Sequence, residues 1–227
     1  MEEICGKQVR STLEELLDPA TCALIVIDMQ RGAVAKSGAA GRAGHEVSMM
    51  AAIAPRCGRV IEAARAHGVR VVHVRVANLP DGASSSPAWL RSLTNIGRPH
   101  PVDPAALSIE GTWETEFCDE CTPQAAELVV TKRRPSAFIG TDLEAVLRSA
   151  GVESVAVIGV ATPGCVEATI RDASHRDFYT VLIEDCVAAY DLELHEAALK
   201  VMRARHDHCT IDEAVAAWER VAAPSLV

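Results

Sequence analysis

The chain has 227 residues, 49% of them hydrophobic, and a formal net charge of −9. That length fits one large α/β domain or two small ones and permits a sizeable core. The acidic balance and dispersed basic residues argue against nucleic-acid or anionic-membrane partners, and without an 18-residue apolar run no transmembrane helix is expected.

The first twenty residues are acidic and lack an apolar core, so they read as a partly helical lead-in rather than a secretory signal. Cys22–Ile27 is an uninterrupted apolar run closed by Asp28, the pattern of a strand buried on both faces. Residues 31–45 are small and Gly-rich and are expected to form a loop. Residues 46–67 carry an apolar face at helical spacing, with Gly68 as the C′ residue, and 69–76 read as a second strand. Residues 78–123 are the least regular stretch and hold Trp89 and Trp113, which points to a long functional loop or lid. A short strand from Leu128 leads into Lys132. A helix follows over 142–150, with Thr141 and Glu144 as its capping box and Gly151 at its C-terminus. The stretch 155–176, VAVIGVATPGCVEATIRDASHR, is strand, tight turn and amphipathic helix, with Cys165 on the first turn and Thr162 as the N-cap before Pro163. A strand over 180–184, helices over 192–206 and 211–221, and a short strand near Cys209 complete the chain. Strands alternating with helices predict a three-layer α/β/α fold, a doubly wound, mostly parallel sheet of about six strands. No repeat or linker is visible, so one domain over 1–227 is expected.

In a parallel sheet, ligands bind at the carboxyl ends of the strands. Asp28, Lys132 and Cys165 all stand there. A thiolate nucleophile, an ammonium to support it and a carboxylate to move its proton make a complete set for acyl transfer. Taken singly, each has a plainer role: a strand-end cap for Asp28, a surface lysine for Lys132, a structural thiol for Cys165. A cysteine at a helix start is expected to ionise readily. Among nearby groups, Gln30, Arg75, Asn78, Trp89, Phe138 and Thr162 are candidate substrate contacts, Arg75 for a carboxylate. The plainer roles are a loop cap for Gln30, a surface position for Arg75, the core for Phe138 and, chiefly, a helix cap for Thr162. His175 lies too far along its helix to pair with Cys165 and reads as packing. Cys118-Asp-Glu-Cys121 has acidic neighbours that oppose a thiolate and no further ligands for zinc, so it reads as a plain loop pair. Eight irregularly spaced cysteines do not form a disulfide framework, and a reduced, cytoplasmic setting is expected.

The segments ALIVIDMQ (23–30), KRRPSAFIGTDLEAVLRSAGV (132–152) and VIGVATPGCVEATIRDASHRDFYTVLIEDCVAAYD (157–191) resemble the isochorismatase-like cysteine hydrolases. The resemblance runs from about residue 20 to residue 205. It implies Cys165 as nucleophile, Lys132 as support for the thiolate and Asp28 as general base and acid. It also implies a cis Val160–Ala161 bond, an oxyanion hole from the N–H groups of Ala161 and Cys165, and assembly as a homodimer or homotetramer. Members that cleave the isochorismate vinyl ether commonly lack the cysteine. Metal-binding nicotinamidases carry an Asp-x-His pair after the second strand, where this chain reads VRVANLPDGASSS. The expectation is therefore an amidohydrolase of the ureidoacrylate, carbamoylsarcosine and biuret branch, acting on a small amide or ureide without metal or other cofactor. A vinyl ether hydrolase, or a silent binding or assembly member of the fold, is the alternative.

Overall fold

Six parallel strands form the centre of the computed structural model, which describes residues 1–94 and 108–222. A small antiparallel hairpin, β1 (Glu2–Ile4) and β2 (Lys7–Val9), precedes the short helix α1 (Leu13–Leu16). The lead-in is partly helical as expected, and the hairpin is an addition to that reading; α1 carries a full capping box between Thr12 and Glu15. Strand β3 (Cys22–Ile27) follows, then the one-turn helices α2 (Arg31–Val34) and α3 (Ala39–Arg42), α4 (Ser48–Ala66) and β4 (Arg70–Val76). Further on are α5 (Pro87–Thr94), β5 (Leu128–Lys132), α6 (Leu143–Ser149), β6 (Ser154–Val160), α7 (Glu167–Ser174), β7 (Tyr179–Ala188), α8 (Leu192–Arg203), β8 (Asp207–Cys209) and α9 (Ile211–Ala222).

The sheet order is β5-β4-β3-β6-β7-β8, and every neighbouring pair is parallel. The chain builds outward from β3 in one direction, returns to β6 beside it, and builds outward in the other. The order reverses between β3 and β6, the place where an open α/β sheet offers a crevice at its carboxyl edge. Both central strands are buried along their whole length. Leu24, Val26, Ala156 and Ile158 face a layer built from α1, α4 and α9, with Trp218 fully enclosed. Ala23, Ile25, Ile27, Val155 and Val157 face the layer of α6, α7 and α8. Full burial of one such Leu, Ile or Val contributes about 1.5–3 kcal/mol, so the two-sided strands anchor the fold.

Several local expectations give way to the three-dimensional context. Residues 31–45 are not a simple loop: small side chains let α2 and α3 fold back on each other, with Gly38 and Gly41 against neighbouring backbone. The 180–184 strand extends to Tyr179–Ala188, because β6 continues to pair with it beyond a register shift between Val157 and Gly159. Thr141 is not the N-cap residue of α6, although its Oγ1 accepts from the Leu143 N–H at 3.4 Å. Its hydroxyl donates to the Ala137 carbonyl, Asp142 holds the N-cap position without a side-chain bond, and Glu144 pairs with Arg176. His175 is the exposed C-cap residue of α7 rather than a packing group. Within 78–123, short helical turns and α5 replace irregular chain; residues 95–107 of that stretch lie outside the described residues.

Gly159 sits at the β6 register shift with φ +115°, opposite Ile27. A Cβ there would fall on the Ile27 carbonyl. Both the positive φ and the contact require glycine. Gly159→Ala is expected to destabilise the protein by more than about 2 kcal/mol, read as a lowered urea midpoint at unchanged m-value.

Candidate active site

Three strand ends place the central groups. The chain leaves β3 at Asp28 in a left-handed conformation, φ +51°, which brings the carboxylate back over the sheet edge; its N–H donates to Val74 of β4. Lys132 is the last residue of β5, and its side chain reaches across the end of β4. Cys165 follows β6 on a π-turn, Thr162–Val166, that leads into α7. The Val160–Ala161 peptide that enters this turn is cis. The Lys132 ammonium lies 2.7 Å from Asp28 Oδ2 and 3.1 Å from Cys165 Sγ, and the side chain of Lys132 is wholly buried. Asp28 Oδ1 is buried without a hydrogen-bond partner among the described residues.

The charges settle as follows. Burial pushes the Asp28 carboxyl above its ordinary range, against the pull of Lys132. Burial alone would lower the Lys132 ammonium, but the charges of Asp28 and Cys165 carry it above its ordinary value. Burial and the neighbouring Asp28 charge push the Cys165 thiol up to about 12, although Lys132 opposes them. The easily ionised thiol expected at a helix start is therefore not the resting state. One ammonium is shared by two acceptors, and the carboxylate is the stronger acid. The thiol and the carboxylate flank the same ammonium, which puts a proton acceptor beside the sulfur, as a general base requires.

A cavity of about 300 Å³ opens beside Cys165 and Lys132. Asn78 and Trp89 line it. Asn78 is held by Ser108, whose carbonyl accepts from both the backbone and side-chain amides of Asn78. Four other candidates stand elsewhere. Gln30 accepts from the Val76 N–H at 2.7 Å and donates to the Val76 carbonyl at 3.0 Å, so its amide extends the β4 ladder instead of facing ligand. Arg75 donates to Thr131 Oγ1 at 2.9 Å and does not line the cavity. Phe138 packs in the core against Phe178, ring centroids 5.9 Å apart, with the Arg176 guanidinium on its face. Thr162 does not cap a helix; it is buried and shares a 2.8 Å hydrogen bond with His195 Nδ1, which ties the Thr162–Val166 turn to α8.

The sequence reading missed three contributors. Tyr190 and His45 line the cavity as a stacked pair, centroids 4.5 Å apart. Tyr190 follows β7 at the same carboxyl edge, a position that could have marked it. His45 comes from the small-residue segment and carries no such signal. His195 sat unremarked in a helix. Cys118 and Cys121 are buried and unpaired, in the same apolar cluster as Cys57 of α4. Among the described residues no three His, Cys, Asp or Glu side chains converge as a metal-ligand set, and no helix is long and apolar enough to cross a membrane.

The isochorismatase domain family model matches residues 22–213. Ureidoacrylate amidohydrolase RutB of Methylobacterium radiotolerans is 35% identical over 189 residues, covering 81% of this chain and 73% of that protein. A cysteine hydrolase from Pseudomonas syringae pv. phaseolicola superposes with TM-score 0.80 at 25% identity, over 96% of this chain and 100% of that one. N-carbamoylsarcosine amidase from Thermoplasma acidophilum superposes with TM-score 0.63 at 28% identity, over 85% and 97% of the two chains.

Because Asp28 raises the Cys165 pKa, Asp28→Asn is expected to make Cys165 alkylate several-fold faster with iodoacetamide at pH 8. Peptide mapping, which separates Cys165 from exposed Cys5, would read this out. A slower reaction would show that the carboxylate does not hold the thiol neutral.

Proposed function

The chain belongs to the isochorismatase family, and we propose that it is a single-domain cysteine amidohydrolase cleaving the C–N bond of a small amide, carbamoyl or ureido substrate. One observation carries the mechanism: the buried Lys132 ammonium bridges Asp28 and Cys165 at the floor of the cavity.

The substrate carbonyl carbon lies over Cys165 Sγ. Asp28 takes the thiol proton as sulfur attacks, and Lys132 offsets the charge that forms on sulfur. The carbonyl oxygen becomes an oxyanion facing the N–H groups of Ala161 and Cys165; one such donor contributes about 2.7–4 kcal/mol in comparable sites. Asp28 returns the proton to the departing nitrogen, and the C–N bond breaks to leave a thioester. Water enters, loses a proton to Asp28 and attacks the thioester carbon. The new tetrahedral adduct collapses, the C–S bond breaks, and the proton on Asp28 passes back to sulfur. The unpartnered Asp28 Oδ1 is the acceptor at hand for that water. The products are ammonia or an amine and a carboxylic or carbamic acid. Exposed Leu194 and Val201, seven residues apart on one face of α8, support a homodimer or homotetramer, and eight unpaired cysteines support a reducing, cytoplasmic setting.

Cys165→Ala is expected to lower ammonia release from a panel of small ureides and amides by at least ~10³-fold, and Asp28→Asn by about 10²–10⁴-fold. Full activity in Cys165→Ala would remove the nucleophile. The pH profile carries a separate test. Asp28 must be ionised to act as base, and its pKa is raised above 3.8. As pH falls through that raised value, kcat/KM should fall, with a midpoint belonging to the coupled Asp28–Lys132–Cys165 group. Lys132, raised above 10.5, stays charged, so no alkaline loss should begin below about pH 9.

A further inference from the structure

Among the described residues, three Lys or Arg side chains line the cavity, and two of them are paired with a carboxylate. Lys132 pairs with Asp28 at 2.7 Å, and Arg133 Nη2 pairs with Glu110 at 2.7 Å. Arg134 has no carboxylate partner among the described residues. Its Nη1 donates to the carbonyls of Ser84, at 3.2 Å, and Arg133, at 2.7 Å. Its Nη2 and Nε make no hydrogen bond within the described protein, so one edge of the guanidinium fork is unused. The ring of Trp89 supports that fork, with Arg134 Cζ 4.8 Å from the ring centroid. Trp89 Nε1 is itself a buried donor without an acceptor. No Asp or Glu stands among the described residues that line the cavity. Among the described residues the wall thus offers positive charge with an unused guanidinium edge and no anion of its own.

Resting on the amidohydrolase reading, we propose that Arg134, seated on Trp89, is a specificity-determining residue that receives a carboxylate of the substrate. A guanidinium edge matches the two oxygens of a carboxylate, and stacking on an aromatic face fixes its plane. Arg134 stands two residues beyond Lys132, at most about 7 Å along the chain. The preferred substrates are ureido or carbamoyl acids small enough for the scissile carbonyl and the carboxylate to share the cavity of about 300 Å³ that Cys165 and Arg134 both line. This places the anion-binding function on Arg134 rather than on Arg75, whose Nε–H is engaged by Thr131 outside the cavity.

The test compares 3-ureidopropionate with its methyl ester by ammonia release. Wild type should favour the acid at least tenfold in kcat/KM. Arg134→Gln should lower that acid-over-ester preference 10- to 100-fold, mainly through KM for the acid, with Arg134→Lys restoring part of it. A purely structural clamp between Ser84 and Trp89 would lower both substrates alike. That result, or a wild type indifferent to the ester, overturns the proposal while leaving the hydrolase reading intact. If wild type releases ammonia from neither compound, that reading fails with this panel, and binding decides the assignment. Calorimetric titration of Cys165→Ala should then show acid binding that Arg134→Gln weakens at least tenfold. Equal binding of acid and ester, or binding of neither, overturns it.

Discussion

An ammonium with no access to water governs the architecture of the site. Burying a lone charge is prohibitively costly, so the Lys132 side chain is tenable only with an anion beside it. Asp28 supplies that anion from a strand two places away in the sheet, and Cys165 supplies a polarisable acceptor from the next strand along. The three groups must meet for any of them to be buried there. Their meeting in turn fixes the relative height of the ends of β3, β5 and β6. Removing one member of such a pair typically costs about 3–5 kcal/mol, because the other is left charged and unsolvated. The same sharing explains why the thiol rests in its neutral form. The ammonium is already committed to the carboxylate at 2.7 Å, which leaves less of its charge to hold the sulfur ionised.

The surrounding chain is bent to serve that meeting. Asp28 adopts a left-handed backbone, and the ladder it abandons is completed by the Gln30 amide clamped on Val76. The partner segment is fixed on the other side, where Arg31 N–H donates to Glu116 and Cys118 N–H to Met29. Beyond β6, the register shift at Gly159 turns the strand end, and the Thr162–His195 bond ties the following turn to α8. Of these groups Val76 lines the cavity, whereas Gln30, Arg31, Gly159, Thr162 and His195 stand outside its lining. Each of the latter sets the position of a group that does line it.

The framework was legible in the sequence wherever burial leaves a pattern. Cys22–Ile27 and Ser154–Val160 are apolar on both faces because helices cover both, and that continuous run is visible without coordinates. Asp28, Lys132 and Cys165 were visible as reactive groups closing such runs. What could not be read was the direction of a side chain. Gln30 and Arg75 are polar and adjacent to the crevice in sequence, yet both turn to hydrogen-bond their own scaffold. Phe138 had equal reason to be core or wall, and packing against Phe178 decides it. Small residues hid α2 and α3, since turns stabilised by close backbone approach carry no apolar period. The state of the Cys165 proton was illegible too, because it depends on three groups competing at about 3 Å, a matter of tertiary geometry and dielectric.

The cavity has a floor and a wall of different origin. The floor comes from strand ends inside the sheet, while the wall is assembled from α3, α5 and short connecting segments around Asn78, Ser108, Arg134 and Tyr190. The buried charge network and the groups that shape the cavity are thus carried by physically separate pieces of chain. A lineage can exchange residues on the wall without disturbing the sheet that holds the charge network. Selectivity is then free to drift while the chemistry stays fixed, and this division gives the scaffold its evolvability.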